Sequence, residues 1–132
     1  MKGGLLVDYL KRWFDYTDRQ LEMKEEIEQA ILRADGSTLT LNEFLLLYFL
    51  KQATGHRLQQ NELQDKLHLS ASAISRMIAK LEAKNCGVIE KQACQTDKRA
   101  AYLVLTSHGE ELLKRVLQEV EDSLAAYSEY LK

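Results

Sequence analysis

The sequence predicts a mainly α-helical chain with one small β-hairpin, and three observations carry that prediction. Apolar residues recur at helical spacing over both ends of the chain. An almost wholly apolar run, Phe44 to Leu50, sits between them, and β-type stretches occur only between residues 87 and 105. With 132 residues, 45% of them hydrophobic and 29% charged, usage is that of an ordinary soluble globular protein. A single domain over residues 1–132 is therefore expected.

The first helix is expected from about Leu5 to Ala34, where Leu6, Leu10, Trp13, Thr17, Lys24, Ile27 and Ile31 fall near helical spacing. Asp35-Gly36-Ser37 ends it. Thr40-Leu41-Asn42-Glu43 reads as a capping box that starts a second helix, Leu41 to Ala53. Apolar residues occupy every side of that helix, which marks it as the central core helix. After the breaker Thr54-Gly55-His56, a short helix is expected near Gln60 to Leu67 and another from Ala71 to about Lys84. His68-Leu69-Ser70 forms the turn between them, with Ser70 as N-cap. Gly87 to Gln92 and Ala100 to Leu105 are the strands, joined by the polar stretch Cys94 to Arg99. Thr106 caps a last helix whose Leu113, Val116, Leu117, Val120, Leu124, Tyr127 and Leu131 hold one apolar stripe to residue 131. The absence of proline leaves the long helices unkinked.

Several function classes are excluded at this level. Met1 to Val7 has one lysine and a short apolar group, which does not make a signal peptide. No apolar run approaches the ~20 residues of a membrane span, so a cytoplasmic protein without a membrane partner is expected. Cys86 and Cys94 have neither the number nor the spacing of a disulfide framework or zinc ribbon, as suits a reducing compartment. His56, His68 and His108 show no metal-ligand spacing. Neither a glycine-rich phosphate loop, a nucleophile elbow nor paired carboxylates in an apolar setting occurs, so no enzyme activity and no cofactor are expected.

A formal charge of −2 is not that of a uniformly basic nucleic-acid binder, but the charge is unevenly distributed. Ser70 to Arg99 holds 6 Lys and Arg against 3 Asp and Glu, while Met1 to Gly36 holds 6 against 8 and Ala100 to Lys132 holds 3 against 6. Local potential is what phosphates feel within a Debye length of roughly 8 Å. Within the basic segment, the helix from Ala71 separates into two faces at about 100° per residue. Ile74, Met77, Ile78 and Leu81 form the packing face. Ser72, Ser75, Arg76, Ala79 and Ala83 form the other, flanked by Lys80. Small polar residues around one arginine permit close approach to a DNA major groove, where Arg76 can fork onto guanine O6 and N7. The plain alternative is a solvated face of an ordinary amphipathic helix.

The order helix, short turn, helix, strand, basic tip, strand decides between them, because it is that of a winged helix. Lys91, Lys98 and Arg99 surround the hairpin, so the wing can lay Arg99 into a minor groove, with Asp97 steadying it by a local ion pair. The regions expected are therefore dimerisation helices at 1–36 and 106–132 and a DNA-binding winged helix-turn-helix at 40–105. A homodimer follows because a single chain of this size cannot cover the apolar stripes of both terminal helices, among them Leu6, Leu10, Trp13, Val116, Val120, Leu124, Tyr127 and Leu131. The candidate DNA-binding residues are Ser70, Ser72, Ala73, Ser75, Arg76, Lys80, Lys91, Asp97, Lys98 and Arg99. A winged helix used for protein contacts is the rival, and salt-dependent binding to duplex DNA separates the two.

Leu63 to Leu69, Ser70-Ala71-Ser72-Ala73-Ile74-Ser75-Arg76, Leu81-Glu82, Asp97-Lys98-Arg99 and Leu105-Thr106-Ser107-His108-Gly109 together resemble the MarR family, over roughly Thr40 to Leu113. The most telling pieces are the Asp-x-Arg of the wing and the Leu-Thr-x-x-Gly after it. The resemblance implies an obligate dimer with intertwined terminal helices, repression of transcription from a palindromic operator, and a cleft between the dimerisation and DNA-binding regions that in some members takes a phenolic effector. Three departures stand against it: Asn85-Cys86 inserted before Gly87, Gln59 in place of a Ser or Thr cap, and a C-terminal segment shorter than the usual pair of helices. Cys94, near Lys91, Lys98 and Arg99, is either an inert thiol or a redox sensor with a lowered pKa.

Overall fold

The computed structural model describes residues 8–35, 39–83, 87–93 and 101–132. Its central helix, α2 (Leu41–Gln52), starts where the sequence says it should. The Thr40 hydroxyl accepts from the Glu43 amide at 3.2 Å, and the Glu43 carboxylate accepts from the Thr40 amide at 2.9 Å. Phe44, Leu46, Leu47 and Leu50 are buried, with Leu45, Tyr48 and Phe49 half-buried against the same core.

Past Ala53 the chain makes one tight turn, Thr54–His56, in which Gly55 takes φ 72° and His56 φ 56°. Glycine fits there because that left-handed backbone is costly for other residues. The turn feeds a strand absent from the sequence reading, β1 (Arg57–Gln59), whose three residues are too few for alternation to show. Helix α3 (Gln60–Leu67) follows at once. Where a Ser or Thr cap is missing, the Glu62 carboxylate takes the Gln59 amide proton at 2.9 Å, so the departure at Gln59 costs the helix no start signal. His68 closes α3 in the left-handed region, φ 56°, and the Leu69 amide donates back to the Gln64 carbonyl.

Ser70 then caps α4 (Ala71–Glu82), its hydroxyl accepting from the Ala73 amide at 3.2 Å. Ile74, Ile78 and Leu81 are buried and join Leu63 and Leu67 of α3 in the core. The hairpin strands are β2 (Ile89–Ala93), which starts two residues later than expected and runs one further, and β3 (Ala101–Leu105). β3 is central in the antiparallel order β1-β3-β2, with Leu58 opposite Leu103 and Ile89 opposite Leu105.

Leu105-Thr106-Ser107-His108-Gly109 has a physical reason in this fold. The Thr106 amide donates to the Val88 carbonyl at 3.1 Å, its hydroxyl donates to the Gly87 carbonyl at 2.6 Å, and the same oxygen accepts from the Gly109 amide at 3.0 Å. The threonine therefore caps helix α5 (Ser107–Leu124) and clasps it to the chain entering β2. Gly109 is buried against the Val88 backbone, where a Cβ would overlap the carbonyl.

Helix α1 (Tyr9–Asp35) packs along α5. Ala30 and Ile31 share the core with Leu112, Leu113, Val116 and Val120, and Arg33 donates to Glu119 at 3.3 Å and to Ser123 at 2.7 Å. Val116 and Val120, expected to face a partner chain, are thus covered by their own chain. The terminal stripe is also shorter than expected. α5 ends at Leu124, and Ala125–Tyr130 tightens into a 3-10 stretch interrupted at Tyr127, φ −108°. Leu124 and Tyr127 are half-buried and Leu131 is exposed. Burial, and next the carboxylates Glu26 and Glu22 of α1, hold the Tyr127 phenol above its ordinary pKa. Among the described residues, no helix is long and apolar enough to cross a membrane.

Candidate nucleic-acid interface

Helix α4 has one sealed face and one exposed face. Its apolar face is sealed onto the core, and Ala71, Ser72, Ser75, Arg76 and Ala79 are exposed on the other. Ser70 is exposed and Ala73 half-buried at the start of the helix, where the Ser70 and Ser72 hydroxyls lie 3.3 Å apart. The first-turn amides of α4 add positive potential to this end.

The helix-turn-helix is braced across its two helices by a contact the sequence reading missed. The Gln60 side-chain amide, at the start of α3, donates to the Ser75 hydroxyl at 2.8 Å and weakly to the Ala71 carbonyl at 3.4 Å. Ser75 is therefore partly engaged within the protein. Its hydroxyl proton still has solvent-side directions open to it.

Three cations expected on the DNA-facing surface have different surroundings. Arg76 is exposed and makes no ion pair among the described residues, which leaves its whole guanidinium fork available. Lys80 pairs with both carboxylate oxygens of Glu43, each at 2.9 Å. Lys91 of β2 lies 3.7 Å from Glu82 at the end of α4, a contact that sets the hairpin against the helix. Lys80 and Lys91 thus hold protein partners, whereas Arg76 is exposed with no ion pair among the described residues. Leu6, Cys94, Asp97, Lys98, Arg99 and the Asn85-Cys86 insertion lie outside the described residues. The described base of the wing carries a further stack, with Arg57 of β1 over the Tyr102 ring of β3 at 4.3 Å.

Away from this surface, the first half of α1 projects an apolar face. Taking about 100° per residue from Tyr9, the residues Trp13, Tyr16, Ile27 and Ile31 lie within about 40° of it. Ile27 and Ile31 pack in the core, whereas Tyr9, Trp13 and Tyr16 on the same stripe are exposed, as are the adjoining Leu10, Phe14 and Leu21. Trp13 and Phe14 stack edge to face with centroids 5.1 Å apart. Between α1 and α5 an open cavity of about 470 Å³ is lined by Ala34, Glu111, Lys114, Arg115, Gln118 and Glu119. Among the described residues, no group of three or more His, Cys, Asp or Glu could hold a metal ion.

Comparison with known proteins places this geometry in context. The model of the MarR family matches residues 39–101, from the start of α2 into β3. The transcriptional repressor MprA of Escherichia coli K12 is 34% identical over 92 residues, which are 70% of this chain and 50% of MprA. The match thus spans about half the length of the curated relatives. Among solved structures, Sco3205, a MarR family transcriptional regulator from Streptomyces coelicolor in complex with DNA, superposes with a TM-score of 0.76 at 26% identity. That superposition covers 91% of this chain and 72% of Sco3205. AbsC, a MarR family transcriptional regulator from the same organism, gives a TM-score of 0.80 at 25% identity, covering 96% of this chain and 83% of AbsC.

Proposed function

Because the chain belongs to the MarR family, we propose that it is a sequence-specific DNA-binding transcriptional regulator, a repressor that binds a palindromic operator as a homodimer. Helix α4 enters the major groove and the hairpin wing the adjacent minor groove. One observation carries the reading: the exposed face of α4, where small side chains surround an arginine that has no protein partner among the described residues. The small residues let the helix axis approach the base edges. Arg76 then supplies the bidentate donor pair that distinguishes guanine.

The other parts have graded roles in this reading. Ser70, Ser72, Ala73 and Ser75 fit the helix start to the phosphates and groove wall, where contacts fix register rather than sequence. On the wing, Lys91 and Lys98 add phosphate attraction, and Arg99, oriented by Asp97, reads a narrow A·T-rich minor groove. The uncovered stripe of α1 is the dimer contact, with Leu6, Leu10 and Trp13 from α1 and its N-terminal approach, and Leu124, Tyr127 and Leu131 from the C-terminal end. No residue is assigned a catalytic role. Release of DNA by a small phenolic acid suits the α1–α5 cavity, where Lys114 and Arg115 can meet a carboxylate.

The test is selection of bound fragments from the organism's own DNA, followed by titration of the recovered site and of random duplex at several salt concentrations. A palindromic site with half-sites about 10 base pairs apart, bound far more tightly than random duplex, is the expected result. Failure to bind any duplex in a salt-dependent way overturns the reading in favour of a protein-contact module.

A further inference from the structure

Glu43 is the one buried charged side chain of the described core. Its burial is unlike that of the lysine it holds: the carboxylate side chain is 5% exposed, the Lys80 side chain 46%. The carboxylate also takes the Thr40 amide proton as part of the α2 cap. It therefore ties the N-terminus of the central helix to the second half of α4, on the flank of the DNA-facing side.

We propose that Glu43 is a positioning residue for sequence discrimination, holding the Lys80 ammonium away from the DNA backbone so that Lys80 does not act as a phosphate contact. This rests on the DNA-binding reading above and deepens it.

A phosphate offers a half-exposed ammonium a partner in high dielectric, where the gain is modest. Moving Lys80 to that phosphate leaves Glu43 charged, buried and with the Thr40 amide as its remaining hydrogen bond named above. An uncompensated buried carboxylate is far more costly than a surface ion pair is favourable. Lys80 therefore stays on Glu43 whichever duplex is present. Phosphate attraction is the same for every sequence, so an extra lysine contact raises operator and random affinity alike and helps the far more numerous random sites. Withholding Lys80 lowers that uniform component and leaves discrimination to Arg76.

Glu43→Gln tests this, since the amide keeps an oxygen for the Thr40 amide while losing the charge that holds Lys80. Released lysines, one from each protomer, are expected to steepen the slope of log affinity against log salt by about 1.8 for a dimer. Random-duplex binding by the variant then falls roughly tenfold further than wild type between 50 and 200 mM salt, after starting tighter at the low end. Adding Lys80→Met to Glu43→Gln is expected to return the slope to the wild-type value, which a general loosening of the fold would not do. Lys80→Met alone is the second reading, for use if Glu43→Gln does not fold, and it is expected to leave the slope unchanged. A folded Glu43→Gln with the wild-type slope, or a Lys80→Met whose slope drops by about 1.8, overturns the proposal. The two failures are distinguishable: a wild-type protein without salt-dependent duplex binding refutes the DNA-binding reading itself, whereas normal wild-type binding with an unresponsive Glu43→Gln refutes only the role of Glu43.

Discussion

Replacing Leu10 and Trp13 together by glutamate is expected to convert a dimer to a monomer and to remove operator binding at concentrations where the parent protein binds fully. The two side chains are 64% and 56% exposed in the single chain, Trp13 on a stripe whose C-terminal continuation, Ile27 and Ile31, packs into the core, and Leu10 beside it. One periodicity thus serves two coverings. The half of α1 near α5 is sealed by its own chain, and in the proposed dimer a second copy covers the half that projects beyond. Two such residues in each of two protomers, at about 1.5–3 kcal/mol per large apolar side chain buried, place on the order of 6 kcal/mol at risk before any charge is buried. Each 1.4 kcal/mol is tenfold in affinity, so micromolar protein becomes monomeric. Both variant sites are far from the core, and helix content is expected to persist. Hydrodynamic mass with and without operator measures the outcome, and a variant that remains dimeric removes α1 from the interface.

Gly109→Ala is expected to be the most damaging single-methyl change among the described residues. The added Cβ meets the backbone carbonyl of Val88 rather than a side chain that could swing aside. Relief requires the first turn of α5 to move off the β2 approach, which breaks the Thr106 contacts to Gly87 and Val88. Overpacking of this kind costs about 1–3 kcal/mol, and more where backbone must shift. For a chain of this size that lowers the melting temperature by on the order of 10 °C. Thermal unfolding followed by circular dichroism measures it. A melting temperature within a degree of wild type contradicts the close approach of α5 to Val88.

Local signals were legible where a chemical rule acts within a few residues. Thr40 with Glu43, Ser70 with the α4 amides and Thr106 with Gly109 are side-chain-to-backbone bonds spanning three positions, and each starts its helix where the sequence placed it. Which face of α4 is exposed was legible for the same reason, because its apolar period fixes which side is sealed. What covers a stripe is a tertiary fact. Val116 and Val120 belong to one stripe with Leu124 and Tyr127, yet the first pair is buried within the chain and the second only half-buried. The partner of Lys80 was not legible because a helical wheel gives the direction of Cβ and not the reach of a four-carbon stem, which here extends to a carboxylate 37 residues away. Nothing in Leu124-Ala125-Ala126 marks the end of α5, since alanine is the best of helix formers. β1 was missed because its strand character comes from pairing with β3 and not from its own three side chains.

The central claim is that Arg76 of α4 reads a base, and the most direct test is a binding titration at fixed salt. Wild type and Arg76→Ala are measured against the selected operator, half-site variants with each G·C pair replaced in turn, and random duplex. The account predicts a loss of about 1–3 kcal/mol, roughly five- to 150-fold, on the operator. It predicts a much smaller loss on the one half-site variant that lacks the guanine, repeated symmetrically in the two halves. Equal losses on every duplex, or wild-type affinity for the operator, would contradict it.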